Sequence, residues 1–176
     1  LQLPLGGFLV FGALLSALPC TASEGIINGQ GVGDLLIGQV LPPLQQHRVL
    51  FRNWQFDENG GSYELVRVKV GEVPVDAEIY DGAIWRISIN LPGLSTRDGV
   101  QVGDKMATLI RKNRSLDREI GPGPSLVLIP RNVRGISYMI DSTLLENTHG
   151  KLNKVIPGES IKNFRISRIY VVGCEK

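Results

Sequence analysis

Apolar and polar side chains alternate along much of the chain after residue 50. Val66, Val68 and Val70 interleave with Arg67 and Lys69, the period of two expected when one strand face is buried and the other wet. The same pattern runs through 83–91, which predicts Trp85, Ile87, Ile89 and Leu91 on a buried face and Arg86, Ser88 and Asn90 on the opposite one. Strands are predicted at 34–39, 51–56, 63–70, 75–80 and 83–91. Turns fall at 57–61, which holds Asn59-Gly60, at 71–74 and at Asp81-Gly82. These are hairpin signals, so the strands should form an antiparallel meander.

Two segments change to helical spacing. Pro42 and Pro43 suit a first helical turn, where an amide proton is not needed, with Leu41, Leu44 and Val49 facing inward. The second helix should run from an Asp104 cap to about Asn113, with Met106, Leu109 and Ile110 forming one stripe. After a short strand at 100–102 and this helix, further strands are predicted at 125–129, 135–140 and 164–172, with 142–160 a polar loop. Residues 37–44 and 102–109 share the order aliphatic, Gly, polar, any, apolar, any, any, Leu. The expected fold class is therefore α+β: antiparallel sheet with two short helices, arranged as a tandem β-α-β-meander duplication.

The first 22 residues read differently. Residues 3–18 are apolar and uncharged but are broken by Pro4, Gly6, Gly7 and Gly12, and they fall short of the ~20 residues a spanning helix needs. Small residues follow at Cys20, Thr21, Ala22 and Ser23, the pattern of a secretory leader cut near Ala22. A second reading makes Cys20 the acylated cysteine of a lipoprotein, although Pro19 is a poor neighbour for that modification. Residues 1–22 are thus expected as a leader, 23–33 as a flexible glycine-rich arm, and 34–176 as a single domain.

Composition adds limits. With 43% hydrophobic and 20% charged residues and a formal net charge of +2, the chain has an ordinary globular balance and no charge-based preference for nucleic acid. The other cysteine is Cys174; it is either a lone thiol or, in an oxidising compartment, a disulfide partner for Cys20. Neither cysteine has zinc-finger spacing to His47 or His149, so no metal site and no cofactor is expected. Gly29-x-Gly31-x-Gly33 lacks the strand and Lys-Ser/Thr of a phosphate loop, and Asp57-x-Asn59-x-Gly61 has Val68 where a calcium loop needs Glu. Both are read as turns.

His47 and His149 have no orienting carboxylate close in sequence, and a hydrolase, or an inhibitor of one, with a pocket at either histidine is the alternative reading. Residues 98–106 are similar to the glycine-aspartate turn of PDZ domains, a further alternative that implies peptide binding. No catalytic set is assigned. For binding, the segment 92–98 and the cations Arg86, Arg111 and Arg114 are the candidates, with Cys20 the candidate lipidation site.

One resemblance spans roughly residues 31–172. Gly33-Asp34-Leu35, 82–89, 98–103, Gly135-Ile136-Ser137-Tyr138 and 161–169 occur in an order that resembles the YfeY-like, RpoE-regulated family of bacterial envelope lipoproteins. The resemblance implies a periplasm-facing α+β domain, an envelope protein or peptide as partner, contact with membrane only through a lipid anchor, and no assigned activity. The expectation is an exported, non-enzymatic envelope protein with a binding or stress-related role.

Overall fold

The computed structural model describes residues 26–43, 48–57, 60–113, 115–120, 125–140 and 162–173. Eight strands form one antiparallel sheet. Four build the first meander: β4 (Val49–Phe56), β5 (Ser62–Val70), β6 (Val73–Tyr80) and β7 (Ala83–Ile89). Four build the second: β9 (Leu116–Ile120), β10 (Leu126–Pro130), β11 (Ile136–Ile140) and β12 (Ile166–Val171). The spatial order β4-β5-β6-β7-β12-β11-β10-β9 places the last strands of the two meanders side by side, with β4 and β9 at the edges.

A smaller sheet is built from β1 (Ile26–Asn28), β2 (Gly31–Val32), β3 (Leu35–Leu36) and β8 (Ser95–Thr96), in the order β3-β2-β1-β8. Its β1–β8 pair is parallel. Among the described residues the one α-helix is α1 (Met106–Lys112). The expected α+β class with two helices is therefore corrected to a nearly all-β protein. Residues 41–43 are irregular, and Val49, expected on a helix, opens β4; its apolar spacing reflects a strand start. The expected strand at 100–102 is reduced to a single bridge between Ser95 and Gln101. Where 26–33 was expected as an arm, β1 and β2 form a hairpin whose Ile27 and Val32 are fully buried.

The inner face of the large sheet carries the core. Val66 and Val68 on β5, Ala77 on β6, Ile84, Ile87 and Ile89 on β7, Ile169 and Val171 on β12 and Ile140 on β11 are all fully buried. They join Ile27, Val32 and Leu35 of the small sheet and Met106 and Leu109 of α1 in one cluster. Apart from Ala77, each such side chain contributes about 1.5–3 kcal/mol by leaving water, and together they fix which face of each strand turns inward. Asp104 does not cap α1, since Lys105 occupies that position without a side-chain bond. Its carboxylate accepts the Gln101 N–H instead, at 3.0 Å.

The β6–β7 turn has both Asp81 (φ 50) and Gly82 (φ 78) in the left-handed region, the type I′ geometry that matches strand twist. Beyond it a register shift lies between Glu78 and Ile79: Ile79 faces Ile84, but Glu78 faces Arg86. Trp85 is the extra residue of a bulge, which re-aims side chains locally. Trp85, expected in the core, is consequently 41% exposed while Ile84 is fully buried.

Candidate functional site

Sheet pairing assembles a polar belt on the outer face. The tight β5–β6 turn pairs Val70 with Val73, which sets Arg67 opposite Asp76. Arg67 donates from Nε to Asp76 Oδ1 at 2.6 Å and from Nη2 to Oδ2 at 2.9 Å. This bidentate bond, reinforced by the charge of Asp76, holds the guanidinium above its ordinary pKa. Asn90 Nδ2 adds a bond to Asp76 Oδ2 at 3.3 Å.

One strand further along, Arg86 donates from Nε to Glu78 Oε1 at 2.9 Å, with Nη2 2.7 Å from Oε2. Its guanidinium lies 4.5 Å from the centre of the Trp85 ring and 5.4 Å from that of Tyr170, within cation–π range. Arg168 continues the stack by donating to the Tyr170 hydroxyl at 2.9 Å. Asp76, Glu78 and Ser88 are buried at 9, 6 and 4% exposure, so the belt's acids sit in a partly desolvated setting where partners matter. Tyr63, whose hydroxyl donates to Gln55 Oε1 at 2.9 Å, has its pKa raised by desolvation and then by the Glu78 charge.

Beside this belt lies a groove of about 760 Å³, a size suited to small-molecule or peptide-segment binding. Leu50, Phe51, Leu65, Pro74 and Leu91 give it apolar walls, and Arg67, Asp76 and Asn90 give it a polar floor. Leu50, Phe51 and Leu91 are 47, 42 and 50% exposed. Asn90 Oδ1 is buried and has no hydrogen-bond partner, an arrangement that costs about 1–3 kcal/mol until a donor arrives. The groove thus offers apolar walls beside a polar floor.

The residues singled out in the sequence fall in several places. Arg86 belongs to the belt. Arg111 lies on the exposed side of α1, which packs into the core on the opposite side of the sheet, so the two do not share a surface. Arg114, Cys20, His47, His149 and Cys174 lie outside the described residues. Within 92–98, Leu94 and Thr96 are buried at 2 and 4%, and Thr96 Oγ1 accepts the Val100 N–H at 3.1 Å. Residues 98–106 connect β8 to α1 and dock on β12 through the Gly103 N–H bond to the Ile166 carbonyl at 2.8 Å. Among the described residues, no group of three His, Cys, Asp or Glu could hold a metal ion, and no helix is long and apolar enough to cross a membrane.

No family model matches the chain, and no curated protein matches it. The crystal structure of the uncharacterized protein YfeY from Escherichia coli matches with a TM-score of 0.60 at 19% identity, over 84% of this chain and 99% of that one. The likeness is one of fold. It supports the YfeY-like resemblance in the sequence, and the nearly all-β architecture of this chain corrects the α+β class which that resemblance had implied.

Proposed function

We propose that this chain is an exported envelope protein that binds an extended apolar peptide segment in the groove beside Arg67, Asp76 and Asn90. The apolar-walled groove with Arg67, Asp76 and Asn90 at its floor carries the reading, and the buried, unpartnered Asn90 Oδ1 is the acceptor that a small rotation of its side chain would present. A peptide offers aliphatic side chains for Leu50, Phe51 and Leu91 and a backbone N–H for Asn90 Oδ1. Its carbonyl suits Arg67 Nη1, because Nε and Nη2 are committed to Asp76. Residues 1–22, read as a leader with its Cys20 fork, support export.

Calorimetric titration with a panel of apolar, N–H-bearing peptides should detect binding that weakens roughly five- to tenfold in Asn90→Ala, the effect of one buried hydrogen bond. Leu91→Glu should weaken it further. Equal affinity in wild type and both variants would reject the groove. Mass spectrometry of the protein recovered from envelope fractions tests the compartment separately. A mature chain starting near Ser23, or one acylated at Cys20, fits export, whereas a full-length chain confined to cytoplasm rejects it.

A further inference from the structure

β4 is an edge strand with an unusual surface. It ends the large sheet, and among the described residues nothing pairs with its outer side. Protein edges are normally guarded by charge, proline or brevity. β4 has eight residues, no proline and one charge, Arg52, whose Nε lies 2.9 Å from Glu64 Oε1. Trp54 and Phe56 are 64 and 77% exposed, and Phe51 is 42% exposed. Its side chains alternate: Phe51, Asn53 and Gln55 lie opposite Arg67, Leu65 and Tyr63 on the outer face, while Arg52 and Trp54 lie opposite Val66 and Glu64 on the other.

We propose that two copies of this chain pair edge to edge through β4, antiparallel about a two-fold axis at Asn53. Residues opposite each other in an antiparallel pair share a face, so a symmetric pairing must join residues whose numbers sum to an even value. Centring on Asn53 sets Arg52 against Trp54 of the second copy, twice, a cross-strand cation–π pair. It also sets Phe51 against Gln55 of the second copy, twice, on the outer face. Centring one residue earlier would put Arg52 against Arg52, and one residue later would put Trp54 against Trp54 and leave Arg52 facing Phe56. The Asn53 register gives the strand's one charge a tryptophan, the ring that attracts a cation best, and pairs residues 50–56, whereas the register centred on Trp54 offers Arg52 only Phe56 and pairs no more than 52–56. That self-complementarity is what an isologous interface requires, and it selects a second copy over an unrelated strand. The groove is lined by Phe51 and Gln55 of this strand but not by Trp54, so the pairing would border the groove, and the tests at residues 53 and 54 do not read groove binding.

Sedimentation velocity of the full chain at micromolar concentration should show a dimer. Trp54→Lys, which sets a lysine against Arg52, should raise the dissociation constant at least about tenfold, as loss of a central aromatic anchor does. In a background with Cys20→Ser and Cys174→Ser, Asn53→Cys should cross-link to a covalent dimer under mild oxidation, and Gln55→Cys should not, because residue 55 faces residue 51. A chain that stays monomeric at all concentrations overturns the proposal. So does a dimer that tolerates Trp54→Lys and fails to cross-link at residue 53, which would point to another surface or a foreign strand as the occupant of β4.

Discussion

Tyr138 shows what one buried polar side chain does to this fold. It is 2% exposed on the inner face of β11, and its pKa is pushed up to about 12, chiefly by burial, with a hydrogen bond from the Thr96 side chain pulling the other way. The unfolded chain ionises this phenol near pH 10 and the folded chain does so about two units later. Its contribution is therefore fully present below pH 10 and is lost as pH rises through about 12. The loss amounts to about 2–3 kcal/mol. Urea melts of Tyr138→Phe between pH 8 and 11.5 should show a flatter alkaline decline than the wild type. Parallel curves would show that the hydroxyl reaches water. The strand over 135–140 was legible in the sequence. The partner of Tyr138 was not, because Thr96 comes from a two-residue strand too short to display a period.

At the scale of elements, alternation was readable wherever one face is buried over four or more residues, as at Val66, Val68 and Val70. It failed at Trp85 because a bulge inserts a residue and breaks the count, and the tight Asp81-Gly82 turn alone would set Glu78 against Trp85 where Arg86 stands. β9 was missed because Asp117, Arg118 and Glu119 fill the middle of an edge strand, so no apolar face marks it. The groove floor was not legible: a turn over 71–74 would set Arg67 opposite Glu78, whereas the tighter observed turn pairs Val70 with Val73 and sets Arg67 opposite Asp76, and Asn90 joins them only through the shifted register of β7. The small sheet is tied to the large one by Arg48, which donates to both oxygens of Asp34 at 2.7 Å and, from Nε, to the Lys69 carbonyl at 3.1 Å. The bond from Arg48 holds the Asp34 pKa below its ordinary value, against some desolvation. Its stabilisation is present above the ordinary carboxylate pKa and is lost as pH falls through the lowered one. Because Asp34 is half exposed, Asp34→Asn should cost only about 0.5–1 kcal/mol at pH 7. Thermal melts should show that difference closing in acid, and a gap that persists at pH 2 would assign the cost to the turn instead.

Across the whole molecule, two four-strand meanders meet at β7 and β12, and the start of each of these strands is held alike. The Gly38 N–H bonds the Ile84 carbonyl at 2.7 Å, and the Ile84 N–H bonds the Gln39 carbonyl at 2.9 Å. The Gly103 N–H bonds the Ile166 carbonyl at 2.8 Å, and the Ile166 N–H bonds the Asp104 carbonyl at 2.9 Å. The shared aliphatic-Gly-polar signature at 37–39 and 102–104 has its counterpart in these paired bonds. It has none in helices, since α1 follows only the second copy among the described residues. A second tie crosses between the halves where the β1–β2 turn at Gly29 lies against the turn before β11 at Gly135. A Cβ on either glycine would fall inside the other segment's backbone carbonyl, and Gly135 also has φ 79. Neither backbone can yield by a rotamer change, as a flexible side chain would. Gly135→Ala combines left-handed strain with that overlap and should destabilise by more than about 2 kcal/mol. Gly60→Ala provides the control, since Gly60 has φ 82 but nothing within 4 Å of the added carbon, and it should cost only about 1 kcal/mol. Denaturant midpoints that fall equally in the two variants would mean that the crossing contributes nothing beyond glycine's conformational freedom. A larger fall for Gly135→Ala would show that the first hairpin and the second meander are held together at this backbone contact.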